Sequence, residues 1–444
     1  MQTLPHSEKG TVASAATMPE AQQVKGLLRA FLALRHRNYR LFWFGQLISL
    51  TGTWMQSTGQ AWLVLQLTNS AWWLGIVGAL QFLPVMLLSL FGGVLADRLP
   101  KRRVLLFTQS FAMLQAAILW ALIATGAIQL WHVLVLAALL GLTNSVDMPT
   151  RQAFVGEMVG REDLPNAIAL NSSLFNMARI VGPGIGGLII AAYGVMPLFF
   201  LNAVSFIPVI AGLAMIDLRK LYGQVKRETA EKGVQRQSTI QSLREGLVYV
   251  RNTPSILLII TAIGAISLFG INFNVILPLF ATDVLKVGAA GFGFISSAFG
   301  IGSLLSALWL AWSNNKPSVR YLLISALAFC ILEAVFAISS NYALSLLLIA
   351  SVGFAQIALS ATANTTLQTV APDRLRGRVM SVYMLVFAGS VPLGNLFTGG
   401  LAHLLGAPIA LLIGAGMSLT AAIVGWILRA PAEKDLAKSI IIPE

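Results

Sequence analysis

Cysteine is all but absent from this chain. Cys330 is the only one in 444 residues, which excludes a disulfide framework and a cysteine-built metal site. It lies within an apolar run, where a packing role accounts for it. Phosphate-binding sequence is missing as well: no Gly-Lys-Ser or Gly-Lys-Thr occurs, so ATP is not the expected energy source. No His-Glu-x-x-His pair or similar metal-ligand cluster occurs either. No cofactor is expected, and an enzyme is the wrong class. Residues 1–37 lack the basic start, apolar run and cleavage site of a signal peptide. Charge is scarce throughout, at 11% of residues, with 17 acidic side chains against 30 Lys and Arg.

Apolar sequence fills the space that charge leaves. The chain is 57% hydrophobic with a mean hydropathy of +0.78. Long apolar runs recur from about residue 40 to residue 429, more than any soluble core needs, and they parse into twelve spans. The basic residues orient them. The N-terminal segment, every second gap and the C-terminal tail together hold 28 of the 30 Lys and Arg; Lys286 falls in another gap and Arg179 inside a span. Lys and Arg resist transfer across a bilayer, so this side is the cytoplasm and both termini lie in it. The net charge of +13 therefore reads as topology and attraction to anionic headgroups, and nucleic acid is not an expected partner.

The links on the outer side are short: Thr68 to Ser70, Tyr193-Gly194, and Ser339 to Tyr342. Such links make sequential antiparallel hairpins. The one long polar segment, 219–253, divides the spans six and six. Ile240 to Val250 within it carries apolar residues at helical spacing and reads as an amphipathic helix on the inner surface; Val24 to Leu34 looks similar. A repeat supports the division. Thr150-Arg-Gln-Ala-Phe-Val with Arg161-Glu-Asp-Leu-Pro-Asn follows span four, and Thr366-Leu-Gln-Thr-Val with Asp373-Arg-Leu-Arg-Gly-Arg follows span ten. Each reads as a basic elbow leading to a span with a glycine pair, Gly186-Gly187 or Gly399-Gly400. The expected fold is an all-α membrane protein: twelve transmembrane helices in two six-helix halves around a central cavity. Its parts are a tail (1–38), a first half (39–218), the linker (219–253), a second half (254–430) and a tail (431–444).

Between spans two and three runs Gly93-Val-Leu-Ala-Asp97-Arg98-Leu-Pro100-Lys101-Arg102-Arg103. At its simplest this is a basic anchor with Asp97 as counter-ion. Its order resembles the signature loop of the major facilitator superfamily, with Pro100 where that loop has glycine. The resemblance implies that Asp97 braces the N-terminal end of span eleven, where a helix dipole favours a carboxylate. It also implies that Lys101 or Arg98 pairs with Asp147, and that the loop latches the outward-facing state. The matching loop after span eight, Ser313-Asn-Asn-Lys316-Pro, lacks the carboxylate. Span five carries Gly182-Pro183-Gly184-Ile-Gly186-Gly187. Such glycines suit close helix packing, and the run also resembles the span-five motif of the superfamily's exporters. With Ala33 to Gln46, Asp147 to Val155 and Arg374 to Ser381, the chain resembles the bacterial branch of enterobactin-exporter-like and macrolide-efflux-like proteins over about residues 30–430.

Polar residues inside the spans are functional candidates. The resemblance makes spans one, four, seven and ten central, so Gln56, Gln60, Asn144, Asn272, Asn274 and Gln356 are expected to line the cavity. Arg179, with Asn176 one turn away, could meet an anionic substrate, a carbonyl cluster or a buried partner. Glu333, in the outer third of span nine, reads as snorkelling or as half of a structural pair. The proton-linked candidates are Asp97, Asp147, Glu333 and His403, all off-centre. The expected function is a secondary transporter of the bacterial inner membrane. It would export a lipophilic or amphipathic small molecule by proton antiport and work as a monomer. The alternatives are an uptake facilitator or lipid flippase on the same fold, and a sensor or scaffold that moves nothing.

Overall fold

The computed structural model describes residues 26–222, 239–313 and 318–441, and every regular element among them is helical. A 3-10 helix, Gly26–Arg35, leads into α1 (Arg37–Thr68), α2 (Ala71–Arg98), α3 (Lys101–Ala124), α4 (Leu130–Tyr193) and α5 (Met196–Ala214). The linker contributes α6 (Thr239–Asn252). The second half holds α7 (Pro254–Phe269), α8 (Phe273–Leu279), α9 (Gly288–Ser313), α10 (Val319–Ala337), α11 (Tyr342–Val370), α12 (Asp373–Leu405) and α13 (Ala407–Ile427). Last comes α14 (Arg429–Ile441). Most of the linker, 223–238, and the loop at 314–317, with the expectation of a missing carboxylate there, lie outside the described residues.

Ten helical stretches among the described residues are long and apolar enough to cross a membrane, against the expected twelve. One difference is α1, which carries Gln46, Gln56 and Gln60 along its length. The other is α4, a 64-residue stretch that holds both of the spans expected there and is broken between them at Gly160. The elbow residues after Thr150 stay helical to Val159. The chain turns at Gly160, whose φ of 76° suits glycine best. The seventh span also departs from a single rod. It breaks after Phe269, and Gly270, Ile271 and Asn272 separate α7 from α8; a π-helical turn, Phe280–Val284, follows. Irregular backbone at membrane depth is tolerated where protein buries it or where it lines a cavity.

Large apolar side chains such as Phe107, Trp312 and Leu404 are exposed on the outside of the bundle, where a bilayer would solvate them. Helix association in lipid depends on close packing of small residues, and the two halves meet in that way. A Cβ on Gly75 of α2 would lie 2.5 Å from the Asn395 carbonyl oxygen and 3.1 Å from the Gly399 Cα of α12. A Cβ on Gly187 of α4 would lie 2.6 Å from the Ala289 carbonyl oxygen and 2.8 Å from the Gly293 Cα of α9. Both crossings are at the end that the charge pattern places outside. At the opposite ends of α2 and α12, a Cβ on Gly93 or Gly377 would meet nothing within 4 Å. The halves thus press together at the first of these ends, while at the other these two glycines meet no facing atom.

The amphipathic helix expected in the linker is α6. Gly246 lies against the backbone of Arg378, and the Arg378 guanidinium pairs with Glu245, so α6 is docked on the inner end of α12.

Candidate functional site

The cavity of about 240 Å³ between the halves draws on seven helices. Trp54, Ser57 and Gln60 come from α1, Gln81 from α2, and Arg179 and Pro183 from α4. The second half supplies Ile271, Phe273 and Asn274 at the α7–α8 break, Phe292, Ser296 and Phe299 from α9, and Gln356 from α11. Toward the outer end, Trp62 and Phe292 stack across the halves at 6.2 Å. The wall is therefore aromatic and carries a few amide side chains. Gln60 is 2% exposed with neither amide atom hydrogen-bonded, and the Gln356 Oε1 is likewise unpaired. Such groups are costly to bury alone, so a ligand or water that bonds them is favoured.

Arg179 is the one charged residue in the lining. Its Nη2 donates to Asn176 Oδ1 at 3.1 Å, and its guanidinium lies 5.8 Å from the Phe299 ring centre. The Nε is buried without a partner, and none of the ion pairs among the described residues includes this side chain. Pro183 lacks the N–H that would bond the Arg179 carbonyl within the helix, and the neighbouring Ile180 carbonyl accepts from Ser297 Oγ of α9 at 2.6 Å. The glycines of the span-five run divide their work. Gly182 presses on α1, where a Cβ would come 2.6 Å from that of Trp54, and Gly186 faces Met55 and Leu198. Gly187 makes the outer crossing to α9.

Of the expected cavity set, Gln60, Arg179, Asn274 and Gln356 gather here. Gln56 does not. It donates to Gln115 Oε1 at 3.0 Å and accepts from Asn202 Nδ2 at 2.7 Å, tying α1 to α3 and α5. Asn144 is half-buried in α4 outside the lining, Asn176 serves Arg179, and Asn272 is buried at the break, bonded to the Leu268 carbonyl. Sequence reasoning missed Trp54, Ser57, Gln81 and Ser296. Gln81 was detectable as a lone amide in an otherwise apolar span.

The loop between α2 and α3 differs from what the resemblance implied. Lys101 pairs with Glu157 at 2.6 Å, and Arg102 donates from Nε to the Leu213 carbonyl at 2.7 Å. Arg98 and Arg103 are exposed, and the Asp97 side chain lies outside the described residues. Asp147 pairs instead with Arg151, one turn along the same helix, and accepts from Thr108 Oγ1 at 2.6 Å and Gln109 Nε2 at 2.8 Å. Arg151 also donates to Gln46 Oε1 at 2.8 Å. The i,i+4 spacing made that pair the nearer choice. One further expectation is corrected. Glu333 neither snorkels nor pairs: it is 0% exposed with both oxygens unbonded. His403, an off-centre candidate from the sequence, is exposed, lies 3.4 Å from Ser70 Oγ and is not among the residues that line the cavity.

A family model described as transmembrane secretion effector matches residues 29–443. The multidrug efflux pump Tap of Mycolicibacterium fortuitum is 30% identical over 373 residues, covering 82% of this chain and 89% of that protein. The enterobactin exporter EntS of Escherichia coli is 24% identical over 418 residues, covering 88% of this chain and 92% of its own. Among solved structures, the nucleoside transporter NupG superposes with a TM-score of 0.71 at 13% identity, covering 88% of this chain and 99% of that one. That last likeness speaks for the fold alone.

Proposed function

Because the chain belongs to the transmembrane secretion effector family of major facilitator transporters, we propose that it exports amphipathic organic molecules from the bacterial cytoplasm. Drug-like and siderophore-like compounds are the candidate classes, in keeping with the names of its relatives. Export runs by alternating access, with the cavity facing the cytoplasm and then the outside, driven by proton entry. The protein works as a monomer in the inner membrane, with twelve spans and both termini in the cytoplasm. It takes no nucleic-acid partner.

The observation that carries this reading is the cavity between the halves. Aromatic surface surrounds a single cation and unpaired amides, a lining that suits a molecule with an apolar body and a few polar groups. The outer end is sealed by glycine crossings that a modest tilt can open. Lys101, Arg102 and Arg151 brace the first half within itself, so the halves can move against each other without breaking those contacts.

Everted membrane vesicles test direction and coupling. Ethidium, an amphipathic cation, and carboxyfluorescein, an aromatic anion, should accumulate inside vesicles containing the protein when the lumen is acidified. Loss of either dye from preloaded vesicles, with no accumulation, would instead favour uptake. Movement of neither, against a panel that includes labelled lipid, would leave the sensor or scaffold reading.

A further inference from the structure

Glu333 occupies α10 about one turn from its outer end, completely buried, with neither carboxyl oxygen hydrogen-bonded. It faces the break in the seventh span. A Cβ on Gly270 would come within 3.1 Å of Glu333 Oε2 and 2.8 Å of Phe329 Cε1. On the far side of that break, Ile271, Phe273 and Asn274 line the cavity. Phe273 also meets Phe329 edge-on at 6.2 Å. The carboxyl therefore sits directly behind the cavity wall, where that wall has no continuous helix.

Among the described residues, nothing nearby balances a charge there. α10 is packed against α7, α11, α13 and α14, and the first three carry no Asp, Glu, Lys, Arg or His along their whole lengths. The titratable groups on these elements are Cys330, buried one turn before Glu333, Tyr342 at the outer start of α11, and Tyr321 and Arg320 near the inner end of α10. Arg429, Glu433, Lys434, Asp435 and Lys438 belong to α14, beyond the inner end, and Asp283 and Lys286 are exposed at the outer end of the broken span. An unpaired carboxylate in such a place is a buried charge without compensation, whereas the neutral acid is an ordinary polar group. The site tolerates the ion only when water reaches it.

We infer that Glu333 is a proton-binding site of the transport cycle, an inference that rests on the antiport reading above. With the break closed over it, as here, the carboxyl keeps its O–H. When the α7–α8 segment shifts, cavity water reaches the oxygen, the O–H bond breaks and the proton passes to that water and on to the cytoplasm. The carboxylate is reprotonated from the outer side, whose loop is a short distance along α10. Glu333 touches no substrate. It couples the proton to the substrate through the wall they share.

Two measurements on the full chain in proteoliposomes test this. Dicyclohexylcarbodiimide adds to protonated carboxyls in apolar settings. It should modify Glu333 at acid pH and less as pH rises, and the adduct should be missing from Glu333→Gln. Absence of an adduct at every pH overturns the inference without needing a variant that folds. Ethidium transport driven by an imposed pH gradient should then fall about tenfold or more in Glu333→Gln, while ethidium exchange without a gradient persists. A merely structural carboxyl would leave gradient dependence intact, since glutamine keeps the shape and the neutral charge. If wild type is gradient-driven and Glu333→Gln equally so, Glu333 loses its role and antiport stands. If wild type ignores the gradient, antiport itself fails and takes this inference with it.

Discussion

Alanine at Gly187 should push the transporter toward its outward-open form. A Cβ there would lie 2.6 Å from the Ala289 carbonyl oxygen, 2.8 Å from the Gly293 Cα and 3.0 Å from the Gly293 nitrogen, all backbone atoms that no rotamer change can move. Ordinary contact begins near 3.4 Å, so α4 and α9 must part by 0.8 Å, the difference between 3.4 and 2.6 Å. Overpacking of this kind costs about 1–3 kcal/mol. The cost applies only while the outer ends are pressed together, so it falls on the inward-open state alone. At about 1.4 kcal/mol per factor of ten, the inward-to-outward ratio should drop roughly 5- to 150-fold. The readout is a cysteine at the cavity residue Ser57, in a Cys330→Ala background, labelled from outside intact cells by an impermeant maleimide. Gly187→Ala should raise its labelling rate several-fold. Gly416→Ala, where a Cβ meets nothing within 4 Å, should not. Equal rates in the Gly187→Ala and parent proteins, at equal abundance in the membrane, would refute the claim that this crossing is the outer seal.

Three further outcomes are expected. Asp147→Ala strands the Arg151 guanidinium in a largely buried cluster and should destabilise the first half by about 3–5 kcal/mol, read as lost folded protein in detergent. Arg179→Ala should lower export of carboxyfluorescein more than export of ethidium per folded molecule if the guanidinium meets substrate, and Arg179→Lys should shift the preference because it loses the planar fork; an unchanged ratio between the two dyes would mark Arg179 as structural. Cysteines at Ser70 and Ser340 should react with impermeant reagent from outside, and one at Ser318 should not; labelling at Ser318 in intact cells would invert the assigned topology.

Much of the architecture was legible because a bilayer imposes simple rules: long apolar runs span it, and basic residues stay on one side. The rules run out where a side chain's direction matters. Gln56 and Gln60 are one turn apart on one helix and read alike, yet Gln56 is spent on Gln115 and Asn202 while Gln60 opens on the cavity. No periodicity separates them, because the neighbouring helices decide. The break at Gly270–Asn272 was equally hidden. It contains no proline, and Asn272 read as one more polar lining residue. The break between the fourth and fifth spans was legible and falls at Gly160, but the helical state of the residues up to Val159 was not, since charged residues between two apolar runs look like a loop even when they remain helical. The Asp147 pairing was recoverable from spacing alone, but the resemblance drew attention to a more distant partner.

The interruption between α7 and α8 gives the two halves different mechanical characters. In the first half, Gln56, Gln115 and Asn202 stitch three helices together, so spin-label distances between α1, α3 and α5 should stay constant through the cycle and the half should turn as a single block. The second half has a joint inside it, and distances from α7 to α8 should change as substrate enters and leaves. Amide exchange would then be fastest, among membrane-embedded segments, at residues 269–273. A drug that wedges behind the cavity wall, between Phe329 and Gly270, would stiffen that joint and stall transport without ever competing for the cavity.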